Sequence, residues 1–258
     1  MFNFFKKEKT VVDMQPVKEQ EDYEDIMPLA NYFHKETGII FDKQVSILRN
    51  KVISFCRQRN IYSFKKLLSD VQSIEQVKQE LIDHLTTNET YFYRELKQIM
   101  ELTELVKKSN QAVRILCAPS STGEEPYSIA IALLEAGVAV SRFSIVGIDI
   151  NSEAVTKAKE AEYGQRNIRH LSDEIISKYF QKHNEKYLLK QDIKSLVSFK
   201  VINIFDENLK SIGKFDFVFS RNMLIYFDKE TKLKAKKILE SLRKTDEHNV
   251  FFGHADLF

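Results

Sequence analysis

Ala112-Val-Arg-Ile-Leu-Cys-Ala-Pro-Ser-Ser-Thr-Gly-Glu-Glu-Pro126 is the stretch that decides the fold. Residues 112–118 form a short apolar run of strand formers. Pro119 to Gly123 supply turn chemistry, and Pro126 suits the first turn of a helix. Apolar residues at helical spacing continue from Glu124, with Gly137 as the C-terminal stop. Outward from this unit the pattern repeats. Phe143-Ser-Ile-Val-Gly-Ile-Asp149 reads as a strand, and Ser152 as the N-cap of a helix to about Ala161. Further on come a strand at Phe215–Ser220, a helix from Asp228 to about Arg243 and a strand at Asn249–Gly253. Strands alternating with helices predict an α/β fold with a parallel sheet covered on both faces. Ligands of such sheets bind at the carboxyl ends of the strands.

The flanks differ in character. Residues 23–85 show only helical periodicity, with Ile47, Leu48, Val52, Phe55 and Cys56 on one face. Further helices are expected around Phe64–Val71 and Ser73–Leu85, the latter opened by a Ser73/Gln76 capping box. These predict a small all-helical N-terminal domain, joined by a linker over 86–110 to a second domain over 111–258. Residues 1–22, opening with Phe2, Phe4 and Phe5, read as a tail or a short docking peptide. Residues 163–199 interrupt the alternation with a short helix and two short strands, a small β insertion at the sheet edge.

Composition narrows the class. With 258 residues and 43% hydrophobic content the chain can bury a sizeable core and is no disordered protein. Two cysteines, Cys56 and Cys117, make no disulfide framework, and no Cys/His group has zinc spacing, so no metal is expected. No apolar stretch is long enough to span a bilayer, and no signal peptide is evident. The expectation is a reduced, cytoplasmic, monomeric protein with no membrane insertion.

Chemistry gathers where strands end. At the first turn, Gly123 would lie against a ligand that a Cβ would obstruct. The turn has one glycine, and Glu124 and Glu125 follow it, which argues against phosphate and for a ligand with positive charge or hydroxyl donors. Asp149 ends the second strand, 26 residues after Gly123, where an acid accepts hydrogen bonds from ribose hydroxyls; it reads equally as a helix cap. A nucleoside with cationic groups suggests S-adenosylmethionine. Ser220-Arg-Asn-Met-Leu-Ile-Tyr-Phe227 falls in the same crevice, as binding wall or as strand-to-helix packing. Leu85-Thr-Thr-Asn-Glu-Thr-Tyr-Phe-Tyr-Arg-Glu95, at the domain junction, is placed to close over a cofactor.

These segments carry a resemblance. The 85–95 motif, Ser121-Thr-Gly-Glu-Glu-Pro-Tyr-Ser128, Gly147-Ile-Asp-Ile150, Phe215–Asp228 and Phe252-Gly-His-Ala-Asp256 occur in the order of the CheR-type chemotaxis receptor methyltransferases. The resemblance implies a Rossmann-like class I methyltransferase domain that transfers a methyl group from S-adenosylmethionine to receptor glutamates. The products would be methyl esters and S-adenosylhomocysteine. It implies that Asn88, Thr90 and Arg94 contact the cofactor, with Arg94 also near the reaction. Glu125 would face the cofactor's charged end and Asp149 its ribose. Asn203, with Ile204 beside it, would hold the adenine edge. Asn222 and Met223 would line the remaining wall, and Tyr226 would sit near the methyl group. Partners would be the acidic methylation helices of chemoreceptors, without nucleic acid. The loop 181–186 lacks the glycine of family members that grip a receptor tether peptide, which predicts none here. A nucleic-acid methyltransferase lacks its usual catalytic motifs in this sequence. A non-catalytic S-adenosylmethionine sensor would have no need of Arg94 and Tyr226.

The formal charge of +2 hides a segment, 43–68, with seven basic and no acidic residues. Beside a site for glutamates, Lys43, Arg49, Lys51, Arg57 and Arg59 are expected to dock the acidic substrate.

Overall fold

The computed structural model describes residues 21–41, 44–109, 111–248 and 250–256. The Phe2/Phe4/Phe5 segment lies outside the described residues.

Helices α1 (Met27–Thr37), α2 (Val45–Gln58), α3 (Phe64–Ser73) and α4 (Glu75–Leu85) bury Leu29, Phe33, Leu48, Val52, Phe55, Leu67 and Leu81 in one core. The expected periodic face of α2 is the buried one, except Ile47, which is 48% exposed. The Ser73 capping box does not form. Ser73 ends α3 and its hydroxyl donates to Ser69 O at 2.7 Å, while the capping serine is Ser63, which accepts from Lys66 N–H at 3.1 Å.

The expected linker over 86–110 divides into two parts. Residues 86–95 are loop and turns, and α5 (Leu96–Lys108) packs on the second domain through Ile99, Leu102 and Val106.

That domain follows as β1 (Val113–Cys117), α6 (Glu124–Glu135), β2 (Phe143–Asp149) and α7 (Ser152–Glu160). The cap of α7 is Asn151, accepting from Ala154 N–H at 2.7 Å, and not Ser152. The insertion comprises β3 (Glu162–Gly164), α8 (Gln165–Ile168), α9 (Asp173–Tyr179), β4 (Phe180–His183), β5 (Lys186–Leu189) and α10 (Gln191–Lys194). Its strands form a separate antiparallel sheet in the order β3-β5-β4. The chain returns as β6 (Val197–Val201), β7 (Phe217–Ser220), α11 (Lys229–Ser241, capped by Asp228) and β8 (Phe251–Phe252). Here the expected insertion boundary at 199 is corrected. The run Ser195–Lys200 contributes β6, which pairs in parallel with β2 in the main sheet.

The main sheet runs β6-β2-β1-β7-β8, and every pair in it is parallel. Alternation sends Ile115 and Cys117 into the core under α5 and α6 and Leu116 into the core under α11. Burial on both faces explains the near-continuous apolar run that marked β1. The chain winds outward from β1 through β2 to β6, then crosses to β7 on the other side of β1. A cleft opens at that switch point, outside the carboxyl ends of β1, β2 and β7. No helix among the described residues is long and apolar enough to cross a membrane.

Candidate active site

A cleft of about 320 Å³ lies over these strand ends, within the ~300–1,000 Å³ usual for small-molecule sites. It gathers segments far apart in sequence. Asn88, Thr90 and Arg94 come from the 86–95 loop, Glu125 from α6 and Asp149 from the end of β2. Asn203 and Ile204 follow β6, and Asn222, Met223 and Tyr226 follow β7. All of the expected cofactor residues thus share this one cleft, except Gly123.

Gly123 has another purpose. It opens α6 at φ +93°, and a Cβ there would meet Ala158 Cβ at 3.0 Å and the Tyr127 ring and Tyr163 hydroxyl at 3.1 Å. The turn and the packing against α7 by themselves require glycine here. Glu124 is also structural: it is fully buried, accepting from Thr122 Oγ1 at 2.6 Å and from Asn167 Nδ2 at 2.7 Å.

Asp149 is 5% exposed, and each carboxylate oxygen accepts one backbone N–H, from Ser121 at 2.7 Å and Asn151 at 2.9 Å. Burial pushes its pKa up to about 6, against the pull of these N–H groups. Glu125 pairs through Oε2 with Arg221, whose side chain is 2% exposed. Its Oε1 is buried with no partner among the described residues, as are the hydroxyls of Ser120 and Ser121, which also line the cleft. Buried acceptors of this kind cost free energy unless a ligand satisfies them. The donor set fits S-adenosylmethionine: an unpaired carboxylate oxygen suits an ammonium group and the Asp149 carboxylate suits ribose hydroxyls.

Two expected residues meet at the mouth. Arg94 donates from Nη1 to Glu89 O at 2.9 Å. Tyr226 is 38% exposed; burial raises its hydroxyl pKa and the nearby Arg94 charge opposes the rise. Asn203 lines the cleft, and its amide is anchored on both sides: Nδ2 donates to Glu36 O at 2.7 Å and Oδ1 accepts from Phe205 N–H at 3.0 Å. These bonds tie the chain after β6 to α1 and fix the amide in the cleft wall, leaving one N–H and one lone pair for the expected hold on an adenine edge.

The basic segment is more engaged than its sequence suggests. Arg57 makes a two-point bond to Glu21 at 3.0 and 2.8 Å. Arg59 pairs with Glu80 and lies 4.7 Å over the Phe55 ring. Arg49 donates to Tyr23 O at 2.6 Å, and Lys51, which lines the cleft, to Leu85 O at 3.3 Å. Lys43 lies outside the described residues.

Sequence reasoning missed two contributors. Arg221 stood inside a quoted motif without a role. The α1–α2 connection adds Thr37, Ile39 and Phe41 to the cleft wall. Only Gly38, at φ +76° with its Cβ position 2.7 Å from Phe205, signalled that close approach.

A parallel sheet with this switch-point cleft and carboxylate set defines an S-adenosylmethionine-dependent methyltransferase. The family model described as "CheR methyltransferase, SAM binding domain" matches residues 88–258, and the chain belongs to that family. It is 38% identical to a chemotaxis protein methyltransferase of Campylobacter jejuni over 86% of this chain and 84% of the relative. It is 30% identical to that of Salmonella typhimurium over 89% and 82%, and 28% identical to that of Escherichia coli over 89% and 83%. Among solved structures, the methyltransferase domain of bacterial CtHen1 aligns at 14% identity over 58% of this chain and 62% of that one, TM-score 0.36. PKMT2 from Rickettsia typhi in complex with AdoHcy aligns at 16% over 58% and 22%, TM-score 0.35.

Proposed function

We propose that this protein methylates glutamate side chains on the cytoplasmic helices of chemoreceptors, giving methyl esters in chemotactic adaptation. The observation that carries the reading is Arg94 and Tyr226 together at the mouth of a carboxylate-lined cofactor cleft. S-adenosylmethionine bound in the cleft supplies an electrophilic methyl group, and S-adenosylhomocysteine remains.

The protein's part is placement. Glu125 Oε1 takes the ammonium and Asp149 the ribose hydroxyls. A glutamate substrate is ionised at neutral pH, so no general base is required. Arg94 presents a planar fork of donors that can orient the incoming carboxylate. Its bond to Glu89 O occupies Nη1 and restrains the fork. The Tyr226 hydroxyl, kept protonated by burial, borders the same space as a hydrogen-bond donor. Fixing two partners in line supplies at most about 7–11 kcal/mol of the barrier, and transfer of this kind depends on it. The enzyme acts as a monomer, and the basic face of α2 steers the acidic receptor.

The test is transfer of labelled methyl to receptor-containing membranes. Base-labile label released as methanol supports the reading. Base-stable label, label on nucleic acid, or cofactor binding without transfer would overturn it.

A further inference from the structure

Arg221 sits at the carboxyl end of β7, inside the wall between the cofactor cleft and the 86–95 loop. Its Nε donates to Glu125 Oε2, and its Nη1 donates to Arg94 O at 2.9 Å and to Glu95 O at 3.4 Å. One guanidinium therefore holds the cofactor's carboxylate on one side and the backbone of the reactive loop on the other. The loop needs such a hold. Tyr93 and Glu95 both have left-handed backbones, at φ +59° and +49°, a conformation that disfavours side-chain-bearing residues.

The surroundings fix Arg221 in turn. The next residue, Asn222, is left-handed at φ +60°, and its N–H donates to Asp256 Oδ2. Gly253 approaches so closely that a Cβ would lie 3.0 Å from Asn222 N and 3.2 Å from Arg221 Cα. Glu95 then closes a second bond across the gap, accepting from Asn222 Nδ2 at 3.5 Å and from His254 Nδ1 at 3.0 Å. The motifs around 95, 221 and 253 thus converge on one buried cation.

We propose that Arg221 is a positioning residue that couples cofactor binding to the placement of Arg94. By taking one oxygen of Glu125 it leaves Oε1, which has no partner among the described residues, for an ammonium group. By holding the carbonyls of Arg94 and Glu95 it keeps the Arg94 side chain at the cleft. An ammonium arriving at Oε1 shares Glu125 with Arg221, and the loop is ordered by the same carboxylate that receives the cofactor. Lysine cannot serve, because a single ammonium lacks the fork that spans Glu125 and the two carbonyls.

This inference rests on the proposed methyl transfer for its kinetic arm only. Arg221→Lys is expected to weaken S-adenosylhomocysteine binding at least tenfold by calorimetry. It is also expected to lower kcat at saturating cofactor at least tenfold, with receptor KM within twofold. Amide exchange over residues 88–95 should accelerate in the ligand-free variant. Glu125→Gln, which retains a carbonyl acceptor for Arg221 Nε, is the second variant should Arg221→Lys fail to fold. It lies on α6, so a role confined to binding cofactor would leave loop exchange in the ligand-free protein unchanged. Coupling through Arg221 accelerates it instead. Loop exchange equal to wild type in Glu125→Gln, or affinity and exchange both within twofold of wild type in Arg221→Lys, would overturn the proposal. The binding and exchange readouts stand even if receptor proves not to be the methyl acceptor.

Discussion

At Asp149, burial works against the charge that the proposed ribose contact requires. Its pKa stands at about 6, above the usual 3.8, because desolvation and the nearby Asp83 outweigh its backbone donors. A raised acid means that the native state holds the proton more tightly than the unfolded chain. The stability from that proton is full below about pH 4 and is lost as pH rises through about 6. Ribose hydroxyls donate to the ionised form. S-adenosylhomocysteine affinity should therefore fall as pH drops from 7 through 6, while this group makes the ligand-free protein more stable. Asp149→Asn should flatten that dependence and weaken binding about ten- to a hundredfold, the worth of hydrogen bonds to a charged group. Calorimetry across pH 5–8 checks both. Arg94→Ala and Tyr226→Phe should each slow methyl transfer about a hundredfold, the usual penalty for a misplaced reactant, with cofactor affinity less affected in the second. Both side chains are partly exposed, so unfolding midpoints should stay near wild type. That Asp149 and Glu125 face the cleft was legible in sequence, because a strand end and the turn into the next helix declare themselves locally. The packing of Gly123 and the tether of Asn203 were not. One is set by Ala158 and Tyr163 on neighbouring elements, the other by a carbonyl 167 residues away.

The helical elements hold the cleft from two sides. On one side the end of α1 is pinned to the catalytic domain. Glu36 O accepts from Asn203, Ile40 N–H donates to Tyr226 O at 2.9 Å, and His34 pairs with Asp228 at 2.9 Å. On the other, Asp83 near the end of α4 accepts from Ser152 N–H at 2.7 Å and from its hydroxyl, placing a carboxylate at the N-terminus of α7. Asn151 Nδ2 returns a bond to Thr86 Oγ1 at 2.8 Å. The second clamp joins α4 to the helix that follows Asp149, so releasing it should disturb the Asp149 end of the cleft. Asp83→Ala is expected to cost about 1–3 kcal/mol of stability and to weaken S-adenosylhomocysteine binding. Denaturant unfolding and calorimetry measure the two, and unchanged values for both would show that the clamp does nothing. Gly38→Ala should destabilise through the first clamp, since it demands φ +76° and places a Cβ against Phe205 and Thr231. Legibility at this scale had a clear limit. Buried Val197 and Phe199 alternate with exposed Ser198 and Lys200, which marks a strand at once. Alternation says nothing of which sheet the strand joins, and β6 was assigned to the insertion because a short amphipathic strand suits either place.

For the whole molecule, the +2 total and the seven-cation segment 43–68 give opposite first impressions, and tertiary pairing decides between them. Arg59 is tied to Glu80 and to the Phe55 ring, and Arg49 to a carbonyl inside the helical domain. Replacing either should cost folding stability before it costs recognition. Arg57 differs. Its bond to Glu21 joins two exposed side chains, 62% and 41% accessible, in water that screens them. Such a pair opens at little cost, and under the proposed function an acidic receptor helix takes the place of Glu21. Arg57→Glu should therefore lower kcat/KM for receptor several-fold, acting mainly on association. The loss should shrink as salt rises, because a Debye length of about 8 Å near physiological strength already limits steering to close approach. S-adenosylhomocysteine affinity and the unfolding midpoint should hold, since Arg57 lies on the outer face of α2. Glu21→Gln should act in the opposite direction, freeing Arg57 and raising kcat/KM at low salt. Receptor methylation assayed from 20 to 300 mM salt with these two variants separates steering from structure. Equal salt slopes in wild type, Arg57→Glu and Glu21→Gln would mean that the receptor reads another face of the protein.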